Sequence, residues 1–502
     1  MTSRLEPAPL TESRLGGAGL IWLYLALLWV AAPVAWMMLG KAAYGPLAVI
    51  LGIALVVLAV FEMRRIGHPL TPAGIAALGG ILIFALRPLT IASSGTTTPG
   101  AMLDTRVFVA GTVDAGVLAL VQVSLFYGVF GAVYFAMQNH PAKPPAPHRT
   151  LPEGAVRRAG LLLGFVTIFA VACAGLLILS SGGVEAHFSG VSVRSSFLAG
   201  RYYLTLAYIP MTVALVLYVL ARRYSGLKEW NGGALFAAVI LCGVGFTTGG
   251  RGPLLLGVII PILILKQTGP SRFSPRTLAV IGVGILAGAM VMSLFLREGN
   301  YDEGASIRAL QEDPIGTLLT RLTSGAETRP FDSLILLNEA DAAGTVPWLL
   351  GSTYAAVPTW FIPGELAPWK DGGANTWFTR TYVPRFYYPD QIETSISAIG
   401  EAYANFRWVG IILVAALVAV AAAKLGVKRS GDSLVKTTIA ATLTPLFFSF
   451  IRGDAFQNLS TVILILVCVW LFLGFTGAGR DAAKPSRTST HQSPQQTPAL
   501  IR

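Results

Sequence analysis

Apolar windows of about twenty residues recur from Gly19 almost to the C-terminus of the chain, and about that length is needed for a helix to cross a hydrocarbon layer of ~30 Å. A soluble core could not bury so many of them. In lipid each spanning segment has to satisfy its own backbone N–H and C=O groups, so the windows are read as helices. They fall at roughly 19–38, 46–63, 72–94, 109–137, 159–181, 202–221, 232–248, 252–266, 277–296, 402–423, 434–451 and 457–477. Composition agrees: 12% of the 502 residues are charged, against about a quarter in soluble domains. The expectation is an all-α polytopic membrane protein of about twelve transmembrane helices. The first apolar run exceeds a signal-peptide core and follows a polar stretch containing Arg4 and Arg14. It is read as an uncleaved first helix, with cleavage as the alternative.

A net charge of +12 would suit nucleic acid, but the basic residues sit in short clusters between apolar segments. Positive-inside topology accounts for that placement. Arg64 and Arg65, Arg157 and Arg158, Arg222 and Arg223, Arg272 and Arg276, and Lys424 and Lys428 then mark cytoplasmic connections. Both termini are expected in the cytoplasm, and no nucleic acid is implied. Cys173, Cys242 and Cys468 lie within apolar runs without metal-ligand spacing and read as packing residues.

The chain divides into a cytoplasmic tail at 1–18, helices one to nine at 19–296, a large periplasmic loop containing short helices at 297–401, helices ten to twelve at 402–477, and a Ser-, Thr-, Gln- and Pro-rich tail at 478–502 that is expected to be disordered. The same expectation holds for the Pro-rich connection from His140 to His148. From Glu298 to Gly400 the loop carries 13 acidic against 6 basic residues. It is acidic where the inner connections are basic.

Three function classes suit such a layout: transporter, channel, or an enzyme acting on lipid-linked substrates. Coupled transporters place ionisable groups near the bilayer midplane. Here Asp114 and Arg87 are the main intramembrane charges, and both lie toward the outer ends of their segments. That placement fits a site at the outer interface. Arginines on the outer side run against the positive-inside trend: Arg194, Arg201, Arg251, Arg321, Arg329, Arg380, Arg385 and Arg452. A guanidinium fork suits diphosphate and carboxylate alike. Each arginine therefore has two readings, a phosphate contact or an ion pair with one of the loop's acids.

Thr247-Thr248-Gly249-Gly250-Arg251-Gly252-Pro253 joins two apolar runs with almost no loop, and its glycines permit a tight turn or close backbone approach. It is neither a Walker A loop nor a dinucleotide fingerprint. The stretch from Gly351 to Gly373 alternates aromatic residues, Pro and Gly, with more aromatics through Tyr388. Trp360 is read as either a sugar-stacking face or part of an interfacial belt, as is Tyr403 further on. Glu401 falls where the loop re-enters the membrane, and it is either a general base for an acceptor hydroxyl or the salt partner of Arg407 or Arg452. Arg452-Gly453-Asp454 forms the short outer turn between the last two helices, either internally paired or converging with Arg251 and Glu401. His187 reads as an ordinary loop histidine, and no metal spacing such as HExxH or DxD stands on the outer side.

TTGGRGPLLL at 247–256, the long outer loop, GSTYAAVPTWFIPG at 351–364, GEAYANFRWVG at 400–410 and FIRGDAF at 450–456 together resemble the O-antigen and oligosaccharide repeat-unit polymerases, with the O-antigen ligases as more distant kin. The resemblance implies a bacterial inner-membrane glycosyltransferase joining repeat units carried on undecaprenyl diphosphate at the periplasmic face, without metal, nucleotide or other cofactor. It implies diphosphate binding by Arg194, Arg201, Arg251 and Arg452, with Glu401 as the base. Arg329, Arg385, Trp360, Tyr403 and Asp454 are candidate glycan or loop contacts. Membrane lipids and a chain-length regulator are the implied partners. The long loop lacks the histidine of the ligases, which favours a polymerase. The alternatives are a ligase, a glycosyltransferase using polyprenyl-phosphate sugars, and a polysaccharide or lipid transporter. The second usually has acids in its first outer loop, and Gly40 to Tyr44 contains none.

Overall fold

The computed structural model describes residues 13–94, 113–138, 151–190, 201–248, 251–269, 273–293, 305–324, 327–362, 366, 372–384, 393–426 and 433–477, and among these there are helices and turns but no strand. Both segments expected to be disordered, the C-terminal tail and the connection at His140 to His148, lie outside the described residues. Eight helical runs are long and apolar enough to cross a membrane, and three shorter apolar helices accompany them.

The first run, Gly17–Ile66, folds back on itself. Helix α1 (13–39) ends at Gly40, whose φ of +53° suits a residue without Cβ, and α2 (Tyr44–Ile66) returns along it. With its two arms counted separately, each of the twelve expected segments has a helix among the described residues. Next come α3 (72–94), α4 (Val113–Gln138), α5 (Glu153–Ser180), the short α6 (Val184–Gly190), α7 (Tyr208–Tyr224), α8 (Gly232–Thr247), α9 (251–268) and α10 (Pro275–Ser293). The long stretch after α10 holds α11 (Ala305–Glu312), α12 (Pro314–Ser324), α13 (Arg329–Ala342) and α14 (Ala374–Tyr382). The last three helices are α15 (Ser397–Leu425), α16 (434–452) and α17 (Ala455–Thr476).

Two apolar cores form. One gathers α1 to α4 with α13 and α15 around Leu51, Phe84, Phe130 and Phe331; the other joins α5, α7, α8 and α17 around Leu163, Leu215, Leu241 and Val469. Lipid offers no hydrophobic drive between helices, so close packing on small residues and buried hydrogen bonds hold the first core. The Tyr24 hydroxyl donates to Tyr127 O at 2.6 Å, and the Tyr127 hydroxyl donates to Ala76 O at 2.9 Å. A Cβ on Gly131 would collide with the Tyr24 ring, and one on Gly80 with the Tyr127 hydroxyl.

The acidic stretch between α10 and α15 is partly sunk into the bundle. Arg87 of α3 donates from Nε and Nη2 to the two oxygens of Asp332 on α13, both at 3.1 Å, and both side chains are buried. Gln122 of α4 and Asn338 of α13 exchange reciprocal amide bonds of 2.9 and 3.1 Å. These contacts satisfy polar groups that would be costly alone in an apolar interior, and they fix α13 against α3 and α4. Asp114 pairs with Lys41 at 2.6 Å, joining the start of α4 to the α1–α2 turn.

Candidate active site

Helix α15 is broken near its start. Phe406 (φ −138°, ψ 18°) and Arg407 (φ +55°, ψ −143°) leave helical geometry, so residues 397–405 run in a different direction from the rest of the helix. A positive φ strains a residue with a Cβ, and Arg407 is held there by its side chain. Its Nη1 lies 2.8 Å from Asp341 Oδ1, Nη2 donates to Val346 O at 2.9 Å, and the guanidinium covers the Trp348 and Tyr403 rings. The Tyr403 hydroxyl donates to the other oxygen of Asp341 at 2.7 Å. Arg407 and Tyr403 thus build the break.

The deviating segment presents Glu401, fully buried. Its Oε1 accepts from the Thr353 hydroxyl at 2.7 Å, and its Oε2 accepts from the Ala455 N–H at 2.6 Å. Asn405, one turn on, donates to Thr353 Oγ1 at 2.8 Å and accepts from Gly351 N–H at 2.9 Å, which fastens the 351–355 turn over the carboxylate. Neither arginine suggested as its salt partner is bonded to Glu401: Arg407 pairs with Asp341, and Arg452 Nε lies 2.7 Å from Glu327 Oε2. The Arg452 contact is an ion pair whose angle falls outside hydrogen-bond geometry.

Asp454, also buried, caps α17: its Oδ1 accepts from Gln457 N–H at 3.2 Å, while Oδ2 accepts from Asn375 N–H at 2.9 Å. Glu401 and Asp454 are thus both bound to amides in the first turn of α17, where the helix dipole favours negative charge. Burial nevertheless pushes the Asp454 carboxyl above the usual carboxylate range, against the hydrogen bonds from Asn375 and Gln457. A third acid, Glu393, accepts from the Thr376 hydroxyl and from Gln457 Nε2 at 3.2 Å. Burial raises its pKa too; the Thr376 hydrogen bond and the Arg380 charge oppose the rise, and the Asp454 charge adds to it.

A cavity of about 190 Å³ opens beside these acids, lined in part by Leu349, Ser352, Thr353, Thr376, Trp377 and Arg380. Thr353 and Thr376 belong both to its wall and to the hydrogen bonds of Glu401 and Glu393. Gly373, also in the wall, has no side chain because a Cβ would lie 2.6 Å from Asp454 Oδ2. The Tyr354 ring stacks on Phe406 with centroids 6.3 Å apart, and its buried hydroxyl has no hydrogen-bond partner among the described residues. Burial, then the Glu401 and Asp454 charges, raise the Tyr354 phenol well above its ordinary value.

Of the residues singled out in the sequence, Glu401 and Asp454 come together in this site. Arg452 is two positions from Asp454 and bound to Glu327. Arg329 opens α13, and Trp360 follows the turn at 357–359. Arg201 lies elsewhere: its Nη1 donates to Ser181 Oγ at 3.3 Å, and that hydroxyl is 3.1 Å from His187 Nδ1. His187 is buried and its Nε2 is 2.7 Å from Thr247 O, so it anchors the TTGGR turn instead of sitting in a free loop. Arg251 begins α9, with its side chain outside the described residues; Arg194 and Arg385 lie wholly outside them. Thr353, Asn405, Asn375, Thr376 and Glu393 were not legible in the sequence, since nothing in the local pattern of such common polar residues marks which of them fold onto one carboxylate.

A family model described as O-antigen polysaccharide polymerase Wzy matches residues 156–477. The chain belongs to that family. The matched stretch includes every residue of the carboxylate site and excludes α1 to α4. The protein is accordingly an O-antigen repeat-unit polymerase acting on lipid-linked oligosaccharide in the bacterial inner membrane. Nothing in the comparisons points to the ligase or transporter alternatives. No curated protein and no solved structure matches the chain.

Proposed function

We propose that the polymerase transfers the growing chain from undecaprenyl diphosphate to a hydroxyl of the incoming repeat unit, with Glu401 as general base. The acceptor O–H proton passes to the Thr353 hydroxyl, which hands its own proton to the Glu401 carboxylate, as the acceptor oxygen bonds to the anomeric carbon. The anomeric C–O bond to diphosphate breaks, and its electron pair leaves with the diphosphate, which needs no proton at neutral pH. One observation carries this reading: Glu401 is a buried carboxylate that has no cationic partner among the described residues and is fixed by Thr353 and Ala455 N–H beside a cavity. Asp454 holds the N-terminus of α17 against which Glu401 is oriented.

The reading is metal-independent, and among the described residues no three His, Cys, Asp or Glu side chains converge as metal ligands. Diphosphate binding is assigned to Arg194, Arg201, Arg251 and Arg452, whose guanidinium forks suit a diphosphate. In the proposed topology both termini are cytoplasmic and residues 297–401 face the periplasm, where a chain-length regulator would meet them. Basic inner connections and the acidic outer stretch support that orientation. The test is ladder formation on a gel by purified protein given undecaprenyl-diphosphate-linked repeat units. Wild type is expected to form the ladder in the presence of a chelator and Glu401→Gln to lose it; a full ladder from the variant refutes the assignment of the base.

A further inference from the structure

The cavity beside Glu401 has a volume of about 190 Å³, smaller than the ~300–1,000 Å³ of pockets that enclose drug-sized ligands. One sugar ring fits such a space and an oligosaccharide does not. Its lining has two characters. Trp377 and Leu349 are apolar, while Ser352, Thr353, Thr376 and Thr381 bring hydroxyls; those of Thr353, Thr376 and Thr381 donate within the protein, so their oxygens face a sugar as acceptors for its hydroxyls. An indole face is a fit for the C–H face of a pyranose.

Charge separates this space from the diphosphate. Glu401 lies behind Thr353, Asp454 behind Gly373 and Glu393 behind Thr376, and among the described residues the one guanidinium in the lining is that of Arg380. A diphosphate would meet like charge on three sides in a poorly screened setting, whereas a neutral, hydroxyl-rich ring meets none. Thr353 is the link: it lines the cavity and donates to Glu401, so a ring seated here has a hydroxyl one side chain away from the base.

We propose that this cavity is the acceptor subsite, taking the terminal sugar of the incoming repeat unit, with Trp377 as the wall against which that ring stacks. The inference rests on the polymerase reading and adds to it where the acceptor, as distinct from the donor diphosphate, is held.

The experiment uses full-length polymerase in proteoliposomes with two photoreactive lipid-linked repeat units, one carrying a diazirine on its terminal sugar and the other in its polyprenyl chain. The terminal-sugar probe is expected to label residues 349–381, and Trp377→Ala to raise the apparent KM about tenfold, the equivalent of about 1.4 kcal/mol, with kcat little changed. Trp377→Phe keeps a stacking face and recovers most of the affinity. Thr381→Trp fills the cavity from an exposed position and raises KM without touching the core, so it decides the matter if Trp377→Ala does not fold. Labelling of 349–381 by the polyprenyl probe instead, or unchanged KM in both Trp377→Ala and Thr381→Trp while wild type forms ladders, overturns the subsite. A folded wild type that forms no ladder at all overturns the polymerase reading itself, a separate result.

Discussion

Glu401 and Asp454 come from different helices and bind the same helix end: Glu401 Oε2 accepts from Ala455 N–H at 2.6 Å, and Asp454 Oδ1 accepts from Gln457 N–H at 3.2 Å. One helix N-terminus thus orients two carboxylates, and only one of them is needed as its cap. Asn is as good an N-cap as Asp, and Gln retains a carbonyl oxygen for Ala455. Asp454→Asn keeps the cap on Gln457 N–H but turns an amide NH2 toward the Asn375 N–H, and is therefore expected to cost about 1–3 kcal/mol of stability. Glu401→Gln removes the base and lowers the polymerisation rate by roughly 10²–10⁴. Rates and thermal unfolding in detergent, measured together, check the pair; a Glu401→Gln protein that unfolds early would make the residue structural.

Glu393 supplies a pH dependence. Burial, opposed by the Thr376 hydrogen bond and reinforced by the Asp454 charge, lifts its pKa in the folded protein. A carboxyl with a raised native pKa contributes fully to stability below its unfolded value of about 4.3, and that contribution is lost as pH rises through the native value. Relative to the non-titrating Glu393→Gln, wild type should be most favoured near pH 4 and lose ground toward neutrality. Thr376→Val removes a bond that holds the charged form and should move the transition to higher pH. Thermal midpoints across pH read both; a wild-type advantage that grows with pH contradicts the assignment.

The buried Arg87–Asp332 pair joins α3 to α13. Asp332→Ala leaves a buried guanidinium unpaired and should cost about 3–5 kcal/mol. Arg87→Met combined with Asp332→Leu removes both charges and should recover most of that loss. Thermal unfolding of the two variants decides, and equal destabilisation in both would show that packing, and not charge, sets the cost.

Arg407 acts at a distance from the chemistry. Lys in its place keeps the charge but cannot both pair with Asp341 and reach Val346 O from a rigid fork. Arg407→Lys is expected to release the α15 break, displace Glu401 and lower kcat about tenfold or more with little change in KM. A change confined to KM would instead place Arg407 in substrate binding.

Gly373 tests the contact between the cavity wall and Asp454. A methyl group there meets both Asp454 Oδ2 and the Phe456 side chain, so Gly373→Ala should reduce both activity and the thermal midpoint, by about 1–3 kcal/mol for overpacking. Wild-type stability in that variant would mean that the wall yields freely.

Hydrophobic period and charge placement are local properties, so the sequence by itself determined the recurring apolar helices, the acidic stretch at 298–400 and the family resemblance, and it singled out Glu401 and Asp454 as candidates. It also left Glu401 with two readings, base or salt partner, because an isolated carboxylate near two arginines has no partner until the chain folds. Tertiary structure decided between those contacts by giving Arg407 to Asp341 and Arg452 to Glu327. It drew α13 into the bundle, where Phe331, Leu334 and Leu337 join the first core while Asp332 and Asn338 pair with Arg87 of α3 and Gln122 of α4, long-range partners that no apolar window could announce. The α15 break, the Thr353 and Asn405 clasp on Glu401 and the cavity wall at Trp377 are equally non-local. They depend on residues far apart in the chain meeting at one helix end, and neither periodicity nor composition encodes that meeting.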